Sequence, residues 1–221
     1  ISVRLVGSEM CIRDRGWVMS KEQQKLLISH TRNLGCWLIS DEVYHQITFN
    51  NFVSPSFLQF SNPKDKLIVI NSASKSFNMT GWRIGWITHP EELGSHIAKL
   101  VQITTTGVPE FLQNGLVSAL ENHKSITNEI RKNLKKSRDI MFDRLVTWKK
   151  VECSIPEAAF YAFFKVKGIK DSLHFAKKLI LETNVGVAPG IAFGTSGEGH
   201  LRICFAAKES FINQIMDLSL I

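Results

Sequence analysis

The sequence lacks several features that would place it in well-defined classes of protein. None of its apolar runs approaches the roughly 20 residues that a helix needs to cross a bilayer. It contains neither a G-x-G-x-x-G run nor a phosphate-loop lysine motif, which argues against nucleotide binding. Its first residues include several arginines and no long apolar stretch of the kind found in secretion signals. These absences make a cytoplasmic protein the default prediction.

Cysteine and histidine are too scattered to indicate a metal centre. The four cysteines form no C-x-x-C pair, and the histidines show no metal-ligand spacing. Cys36 and Cys204 lie in apolar runs, which predicts that both are small buried residues. Reduced thiols of a cytosolic protein suit this pattern better than disulfides do. We therefore predict no bound metal.

The formal net charge is +7, and the basic residues are spread along the chain, with their densest group in one segment. In residues 125–146 the apolar side chains recur at helical spacing, and the basic side chains fall largely off that stripe. The stripe consists of Ile126, Ile130, Leu134, Met141 and Leu145, and the basic residues are Arg131, Lys132, Lys135, Lys136 and Arg138. A solvated helix face explains the charge more simply than nucleic-acid binding does, although an anionic cofactor or substrate would also favour it. We predict neither a nucleic-acid nor a membrane partner.

Helix and strand patterns alternate along the first half of the chain. Ser20 and Gln23 form a capping-box pattern, and Leu26 and Leu27 begin an apolar helix face. The runs CWLIS and KLIVINS predict two buried parallel strands, each followed by polar residues. This alternation indicates an α/β fold with a mostly parallel sheet and helices. In such sheets ligands bind beyond the carboxyl ends of the strands.

The pattern changes after Trp148, which predicts a second domain. The segments AAFYAFFKV and HLRICFA predict strands, and DSLHFAKKLILE predicts a helix between them. We therefore predict a large domain over residues 16–121 and a smaller α+β domain over residues 122–221. Residues 1–15 show no clear periodicity. We interpret them as a non-native leader, and an irregular N-terminal strand is the alternative.

Polar side chains that could share one catalytic site follow the predicted strands. They are Asp41 and Tyr44 after the first strand, Ser72 and Lys75 after the second, Arg83 further on, and Arg202 in the second domain. A lysine amine can form a Schiff base with an aldehyde cofactor, and a serine hydroxyl with an arginine fork can hold a phosphate. Each residue also has a plainer interpretation, such as a solvent-facing lysine, a turn aspartate or an edge-strand arginine. The residues alone leave both interpretations open.

Four segments together resemble the class I/II pyridoxal-phosphate aminotransferases. SASKSFNMTGWRIGW is similar to the family's cofactor-lysine segment, and LISDEVYHQITF, APGIAFG and LRICFA are similar to its other markers, in the expected order. The resemblance covers about residues 16–221 and is to the aspartate-aminotransferase-like branch, of fold type I. It implies that an amino group is transferred between an amino acid and a 2-oxo acid, with pyridoxal phosphate as cofactor. It also implies a homodimer for the full-length protein.

The resemblance assigns the reactive groups. Lys75 would form the Schiff base with the cofactor and, once displaced by substrate, would move a proton at the substrate α-carbon. Asp41 would face the pyridine nitrogen and keep it protonated. Tyr44 would donate a hydrogen bond to the phenolic oxygen of the cofactor.

The resemblance also assigns the anchoring groups. Ser72 and Arg83 would hold the cofactor phosphate, with assistance from Ser74. Gly81 would let the backbone pass close to the ligand. Arg202 would bind the substrate α-carboxylate through a two-pronged hydrogen bond.

The chain departs from the family pattern near its start. Residues 13–16 read RDRG where an NPTG-like segment is usual, so that only Gly16 matches and the usual asparagine is absent. The upstream phosphate loop and the aromatic residue that stacks on the pyridine ring are absent as well. Ala158 stands where a glycine is common. We therefore predict an N-terminally truncated aminotransferase fragment whose activity on its own is impaired.

Other functions share the same residues. A β-lyase or an acyltransferase on this fold would also use Lys75, Asp41 and Arg83, and product analysis would separate it from an aminotransferase. An aminotransferase-like domain of a transcription regulator would sense the cofactor without catalysis. The sequence leaves the substrate side chain unidentified.

Overall fold

The computed structural model describes residues 16–50 and 53–216. Contacts divide the chain into two compact units. The boundary between them lies after Arg131. The 19–131 unit is continuous, and the 132–221 unit comprises described residues 16–18 and 132–216. The predicted domain boundary after residue 121 stays a prediction. Among the described residues, no helix combines the length and the apolar character that a membrane span requires.

The 19–131 unit contains a three-stranded sheet in the order β1-β2-β3. Its strands are β1 (Leu38–Asp41), β2 (Leu67–Ser72) and β3 (Gly85–Thr88), and its helices are α1 (Lys21–Leu34), α2 (Ala73–Ser76), α3 (Gly94–Thr105) and α4 (Glu110–Glu121). Short 3₁₀ helices occupy Phe57–Gln59, Thr80–Trp82 and Glu91–Leu93. β1 and β2 are parallel, as the sequence predicts, and β3 is antiparallel to β2.

Helix α1 begins at the capping box expected from its sequence. The Gln23 amide N–H donates to Ser20 Oγ at 3.2 Å, and the Ser20 N–H donates to Gln23 Oε1 at 2.9 Å. The buried side of the helix carries Gln24 and Ile28, while Leu26 is 72% exposed. Of the expected face, Leu27 is half-buried and packs against the core, whereas the expectation for Leu26 is wrong. Residues four apart share one helix face, and the face of Gln24 and Ile28 lies against the core.

Strand β1 is only partly buried, although the sequence predicts burial of both faces. Ile39 is 53% exposed. Within the described ranges β1 pairs only with β2, so its other edge has no strand beside it. Cys36, just before the strand, is exposed rather than buried, because it follows the C-terminal cap of α1 at the surface.

The 132–221 unit is built on an antiparallel sheet in the order β4-β5-β7-β6. Its strands are β4 (Val151–Cys153), β5 (Tyr161–Val166), β6 (Ala188–Pro189) and β7 (His200–Cys204). Its helices are α5 (His123–Leu145), which begins in the 19–131 unit, α6 (Ser172–Thr183) and α7 (Glu209–Met216). The strand, helix and strand predicted after Trp148 are confirmed.

The two faces of this sheet differ in character, as the period-two alternation of strands requires. The core face consists of Ala162, Phe164 and Val166 from β5 and Leu201 and Ile203 from β7, all of them buried. The opposite face carries the half-buried side chains of Tyr161, Phe163, His200 and Arg202. Cys204 belongs to this second face and is exposed, so its predicted burial is wrong.

The basic helix α5 has largely the predicted orientation. Met141 and Leu145 are buried on the apolar stripe, while Lys135 and Lys136 are exposed. Arg138 is the exception, because it is buried. Its Nε and Nη2 donate to Asp139 Oδ1 at 2.9 and 2.7 Å and its Nη1 to the Pro156 carbonyl at 3.2 Å, which together compensate for the loss of water around a buried guanidinium.

Candidate active site

The carboxyl ends of β1 and β2 lie at one edge of the sheet. In the parallel register Asp41 is level with Ile70, and Ser72 lies two residues further along β2. The chain therefore leaves both strands at the same edge. Two separate sequence segments thus deliver polar side chains to the place where α/β folds bind ligands.

A tight turn after β1 holds the Asp41 carboxylate. Asp41 Oδ1 accepts a hydrogen bond from the Val43 amide at 3.1 Å. Asp41 is otherwise exposed. Tyr44 follows within the turn and is half-buried. An aspartate that accepts from the backbone two residues later is a common turn device. This turn therefore sets the direction of the acidic group at the strand end.

Glu42 anchors this turn, although the sequence pattern does not indicate a structural role for it. It is only 8% exposed, and its Oε1 accepts hydrogen bonds from Ser40 Oγ at 3.1 Å and from the Phe57 amide at 3.0 Å. Its own amide donates to the Ile70 carbonyl at 2.9 Å. Because a buried carboxylate needs such partners, Glu42 ties the turn to two other segments. The adjacent acids in LISDEVY are the signal that could have indicated it.

A second turn leads from β2 into α2 and carries the lysine. Ser72 caps the helix, since its Oγ accepts from the Ser74 amide at 3.1 Å. The same hydroxyl donates to the Ile84 carbonyl at 3.4 Å. Ser74 is buried and Lys75 is half-buried. The small hydroxyl residues around Lys75 thus form a compact turn that carries the lysine.

The pairing of β2 with β3 brings the arginine segment beside this turn. Ser72 is the register partner of Gly85, and the Ala73 amide donates to the Ile84 carbonyl at 3.1 Å. Arg83 therefore lies next to the Ser72 turn along the backbone. Arg83 has a φ of 54°, a left-handed conformation that is strained for a residue with a side chain, and its Nη1 donates to the Thr80 carbonyl at 3.2 Å.

The side chains at these turns fit a phosphorylated aldehyde cofactor. A guanidinium and a hydroxyl are the donors that a phosphate requires, and a lysine amine bonds to an aldehyde. Two buried polar atoms of residues close to Lys75 in the sequence, Asn71 Oδ1 and Ser76 Oγ, have no hydrogen-bond partner among the described residues. Buried polar atoms are normally paired, so these two are consistent with a further polar group at this edge.

Gly85 and Gly81 differ sharply in their surroundings, and this difference makes a prediction. A Cβ at Gly85 would lie 2.5 Å from the Asn71 carbonyl oxygen, whereas one at Gly81 would meet no atom within 4 Å. We expect Gly85→Ala to lower the free energy of unfolding by about 1–3 kcal/mol, because the backbone beside Ser72 must move. The matched variant Gly81→Ala should change it by less than about 0.5 kcal/mol.

Equilibrium urea denaturation of both variants measures this effect. Equal stability of the two variants would contradict the tight contact at Gly85. A loss of stability in Gly81→Ala alone would contradict the open space around Gly81.

A cavity of about 180 Å³ lies elsewhere in the 19–131 unit, at the amino ends of β1 and β2. Its wall includes the ion pair of Arg32 and Asp65, whose Nε–Oδ1 distance is 2.7 Å. The hydrogen bonds from Arg32 lower the pKa of the Asp65 carboxyl below its ordinary value. These charges satisfy each other, so the cavity has a structural explanation and lies apart from Asp41 and Ser72.

Arg202 lies in the 132–221 unit and contacts two aromatic rings. Its Cζ is 4.3 Å from the ring centroid of Tyr161 and 4.3 Å from that of Phe193. The sequence indicates a role for neither ring. Their segments, AAFYAFFKV and APGIAFG, indicate only a strand and a family marker.

Gly16 is the one residue of the RDRG segment that the structure describes. Its carbonyl accepts from the amides of Glu157 and Ala158 at 2.9 and 3.1 Å, and a Cβ there would lie 2.1 Å from Pro156 Cβ. The glycine is thus required by a close backbone approach. The left-handed conformation that favours glycine occurs at Ala159, with a φ of 62°, next to the predicted departure at Ala158. The leader predicted for residues 1–15 lies outside the described residues.

In the part of the chain that the structure describes, no three His, Cys, Asp or Glu side chains form a group that could hold a metal ion. At the carboxyl edge of the parallel strands lie the acidic turn of Asp41 and the turn of Lys75, with Arg83 beside the latter. These groups offer a lysine amine, a carboxylate and a guanidinium at one edge of an α/β sheet. The sequence profile of the family "Aminotransferase class I and II" matches residues 15–215, so the chain belongs to this family.

Named relatives agree with this assignment. The LL-diaminopimelate aminotransferase of Natranaerobius thermophilus is 36% identical over 180 residues, which are 81% of this chain and 46% of that protein. The probable aspartate/prephenate aminotransferase of Aquifex aeolicus is 34% identical over 203 residues, 88% of this chain and 50% of that protein. The chain spans about half the length of the curated relatives it matches.

Solved structures give the same fold. The aromatic aminotransferase from Pyrococcus horikoshii has a TM-score of 0.85 at 28% identity, over 92% of this chain and 55% of that one. The aspartate aminotransferase from Thermotoga maritima has a TM-score of 0.80 at 30% identity, over 91% and 52%. The predicted α/β class and the family resemblance are therefore confirmed. This family depends on pyridoxal phosphate, as the resemblance implies.

Proposed function

We propose that the protein product containing this chain is an aminotransferase that moves an amino group between an amino acid and a 2-oxo acid through Lys75. The single observation that carries the proposal is the edge at which β1 ends in Asp41 and β2 ends in the Ser72–Lys75 turn. The family assignment and the names of the relatives support it. Those names cover aspartate, prephenate, LL-diaminopimelate and aromatic aminotransferases, so they select no single substrate.

Lys75 is the residue that bonds to the cofactor and handles the proton. Its Nζ would hold the cofactor through a bond to the aldehyde carbon, with the aldehyde oxygen leaving as water, and the amine, once freed, would move the proton at the substrate α-carbon. The half-buried position of Lys75 in α2 restricts the amine to a small volume. Such restriction favours proton transfer because the reacting atoms stay close together.

Asp41 and Tyr44 adjust the charge of the cofactor ring. Pyridoxal phosphate, when bound, supplies an electron sink for the negative charge that develops at the substrate α-carbon. Asp41 would hold a proton on the ring nitrogen through its negative charge, and Tyr44 would donate a hydrogen bond to the phenolic oxygen. The bond from the Val43 amide keeps the carboxylate in one orientation. The hydrogen bonds of Glu42 hold the turn that carries both groups.

Ser72, Ser74 and Arg83 anchor the phosphate. The guanidinium supplies charge and a fork of donors, and the two hydroxyls add hydrogen bonds. Ser72 Oγ accepts from the Ser74 amide and donates its one proton to the Ile84 carbonyl at 3.4 Å, a long bond that it would exchange for one to the phosphate. The strained backbone of Arg83 is consistent with a functional requirement at this residue.

Arg202 binds the substrate α-carboxylate. A guanidinium offers parallel N–H donors that match the two oxygens of a carboxylate. The homodimer, the cytoplasmic location and the division into domains after residue 121 stay predictions.

Reductive trapping tests the proposal. The gene product that contains this chain is purified with pyridoxal phosphate, reduced with borohydride and digested, and its peptides are mapped by mass spectrometry. We expect one label, on Lys75, together with a Schiff-base absorption band that reduction removes. The matched sample is protein that is digested without reduction.

Product analysis with a panel of amino acids and 2-oxo acids completes the test. An oxo-acid product formed together with a new amino acid supports transamination. Ammonia with pyruvate would indicate β-elimination instead, and a label on another lysine would contradict the assignment of Lys75.

A further inference from the structure

We propose that Tyr161 and Phe193 are positioning residues, which hold the Arg202 guanidinium in place for a carboxylate. The inference rests on the proposed function only in taking the carboxylate to be that of the substrate. It concerns residues of the 132–221 unit alone. Neither ring was assigned a role by its sequence segment.

The two contacts of Arg202 are both within the range of a cation–π interaction. Its Cζ lies 4.3 Å from the centroid of each ring, where about 6 Å is the usual limit. Tyr161 belongs to β5 and is the register partner of Cys204, one strand away from Arg202 along the sheet. Phe193 comes from the segment between β6 and β7. One charged group is therefore held by rings from two different parts of the fold.

Phe193 is itself held by further rings. Its centroid lies 5.9 Å from that of Phe163, and the two rings pack edge to face at 89°. Phe163 is the register partner of Arg202 and stacks on His200 at 4.8 Å with an angle of 6° between the rings. Edge-to-face and offset-stacked pairs are the favoured geometries of aromatic rings. The ring that contacts Arg202 is thus not a mobile surface side chain.

The segment that carries Phe193 is fixed at its ends by close backbone contacts. A Cβ at Gly190 would lie 1.9 Å from the Gly197 carbonyl oxygen, and a Cβ at Gly197 would lie 2.2 Å from the Gly190 carbonyl oxygen. Two glycines therefore let residues 190 and 197 touch. This contact closes the segment into a compact loop, which we call the Phe193 loop, residues 190–199.

Polar contacts also tie the Phe193 loop to helix α6. Glu198 Oε1 accepts from the amides of Ser172 and Gly199 at 2.7 and 2.9 Å, and Ser172 Oγ accepts from the Ile191 amide at 3.1 Å. Ser172 is fully buried. The backbone N–H of Gly199 and the hydroxyl and amide of Ser172 lower the pKa of the Glu198 carboxyl, so it stays ionised and continues to accept these bonds.

The physical effect of the rings is to orient the arginine without using its donors. A cation–π contact uses the positive charge of the guanidinium and needs no hydrogen bond from its N–H groups. The two ring contacts are therefore compatible with binding of a carboxylate through two parallel hydrogen bonds. An arginine that is already oriented loses less side-chain freedom on binding, which raises its affinity for the carboxylate.

The test removes each ring face and compares two kinds of substrate. The variants are Phe193→Leu and Tyr161→Leu, each with a ring-retaining partner, Phe193→Tyr and Tyr161→Phe. The control is Phe211→Leu, at a phenylalanine that is 54% exposed in α7. In the holoenzyme of the product that contains this chain, kcat/KM is measured for the best amino acid of a panel. Single-turnover rates are measured for the matching amine without a carboxylate.

We expect each leucine variant to lower kcat/KM for the amino acid about tenfold, which corresponds to about 1.4 kcal/mol, and mainly through KM. The rate with the carboxylate-free amine should change less than about twofold, since a single cation–π contact acts only on the arginine. The ring-retaining variants and the control should stay within about twofold of the wild type. Equal losses with both substrates, or no loss, would overturn the proposal.

A second measurement separates this inference from the proposed function. Calorimetry with succinate, a carboxylate that does not react, measures binding without any turnover. About tenfold weaker binding by the leucine variants supports the inference even if the wild type shows no transamination, an outcome that would contradict the proposed function alone. Unchanged succinate affinity in both leucine variants would overturn the inference even in an active enzyme.

Discussion

Replacement of Lys75 by alanine is expected to lower the transamination rate about ten-thousandfold and to abolish borohydride labelling. The variant loses the covalent bond to the cofactor and the group that moves the α-proton. A positioned acid–base group contributes up to about 10⁴-fold by itself. Binding of the cofactor should persist in weaker form, because Arg83, Ser72 and Asp41 remain. Stopped-flow absorbance with the best amino acid of the panel measures the rate.

The matched control for this experiment is Lys99→Ala, at an exposed lysine of α3. It removes the same side chain from the same unit and should keep wild-type activity and labelling. Circular dichroism of both variants checks that the fold persists. If Lys75→Ala kept more than about a tenth of the wild-type rate, Lys75 would not be the residue that transfers the proton.

The second large effect is expected for Asp41→Asn, which should lower kcat about a hundredfold or more. The change removes the negative charge that would hold a proton on the cofactor ring, and loss of one preorganised electrostatic partner costs about this much. The shape of the side chain is kept. The asparagine carbonyl oxygen can still accept from the Val43 amide, so the turn and the thermal unfolding temperature should stay close to those of the wild type.

Steady-state kinetics and the unfolding temperature together decide the role of Asp41. The control is Asp143→Asn, at an exposed aspartate of α5, which should leave both quantities unchanged. A large fall in unfolding temperature with Asp41→Asn would assign the residue to the turn rather than to the chemistry. An unchanged kcat would contradict any role for its charge.

Much of the fold could be predicted because its signals are local. The capping box at Ser20 and Gln23 forms within one helical turn, and its bonds depend on little outside it. The runs CWLIS and KLIVINS carry their own strand pattern. Parallel pairing of these two strands then brings Asp41 and Ser72 to the same edge of the sheet.

Errors arose where burial depends on what lies opposite a side chain. Leu26 is as apolar as Ile28, but only Ile28 faces the core and is buried. Cys36 and Cys204 lie in apolar runs yet are exposed, because no described segment covers their side chains. Arg138 is charged but buried, because its guanidinium pairs with the neighbouring Asp139 carboxylate and also donates to the Pro156 carbonyl from another segment. Hydropathy along the chain contains none of these relations.

The sequence by itself determined the family, the strand ends that carry Asp41 and Lys75, and the alternation of elements, because each depends on residue types at short spacing. Only the tertiary structure decided which groups support them. Glu42 ties the acidic turn to Phe57, and Arg202 rests against two rings from separate segments. Such contacts join residues far apart in the chain, and they exist only after folding has brought these surfaces together.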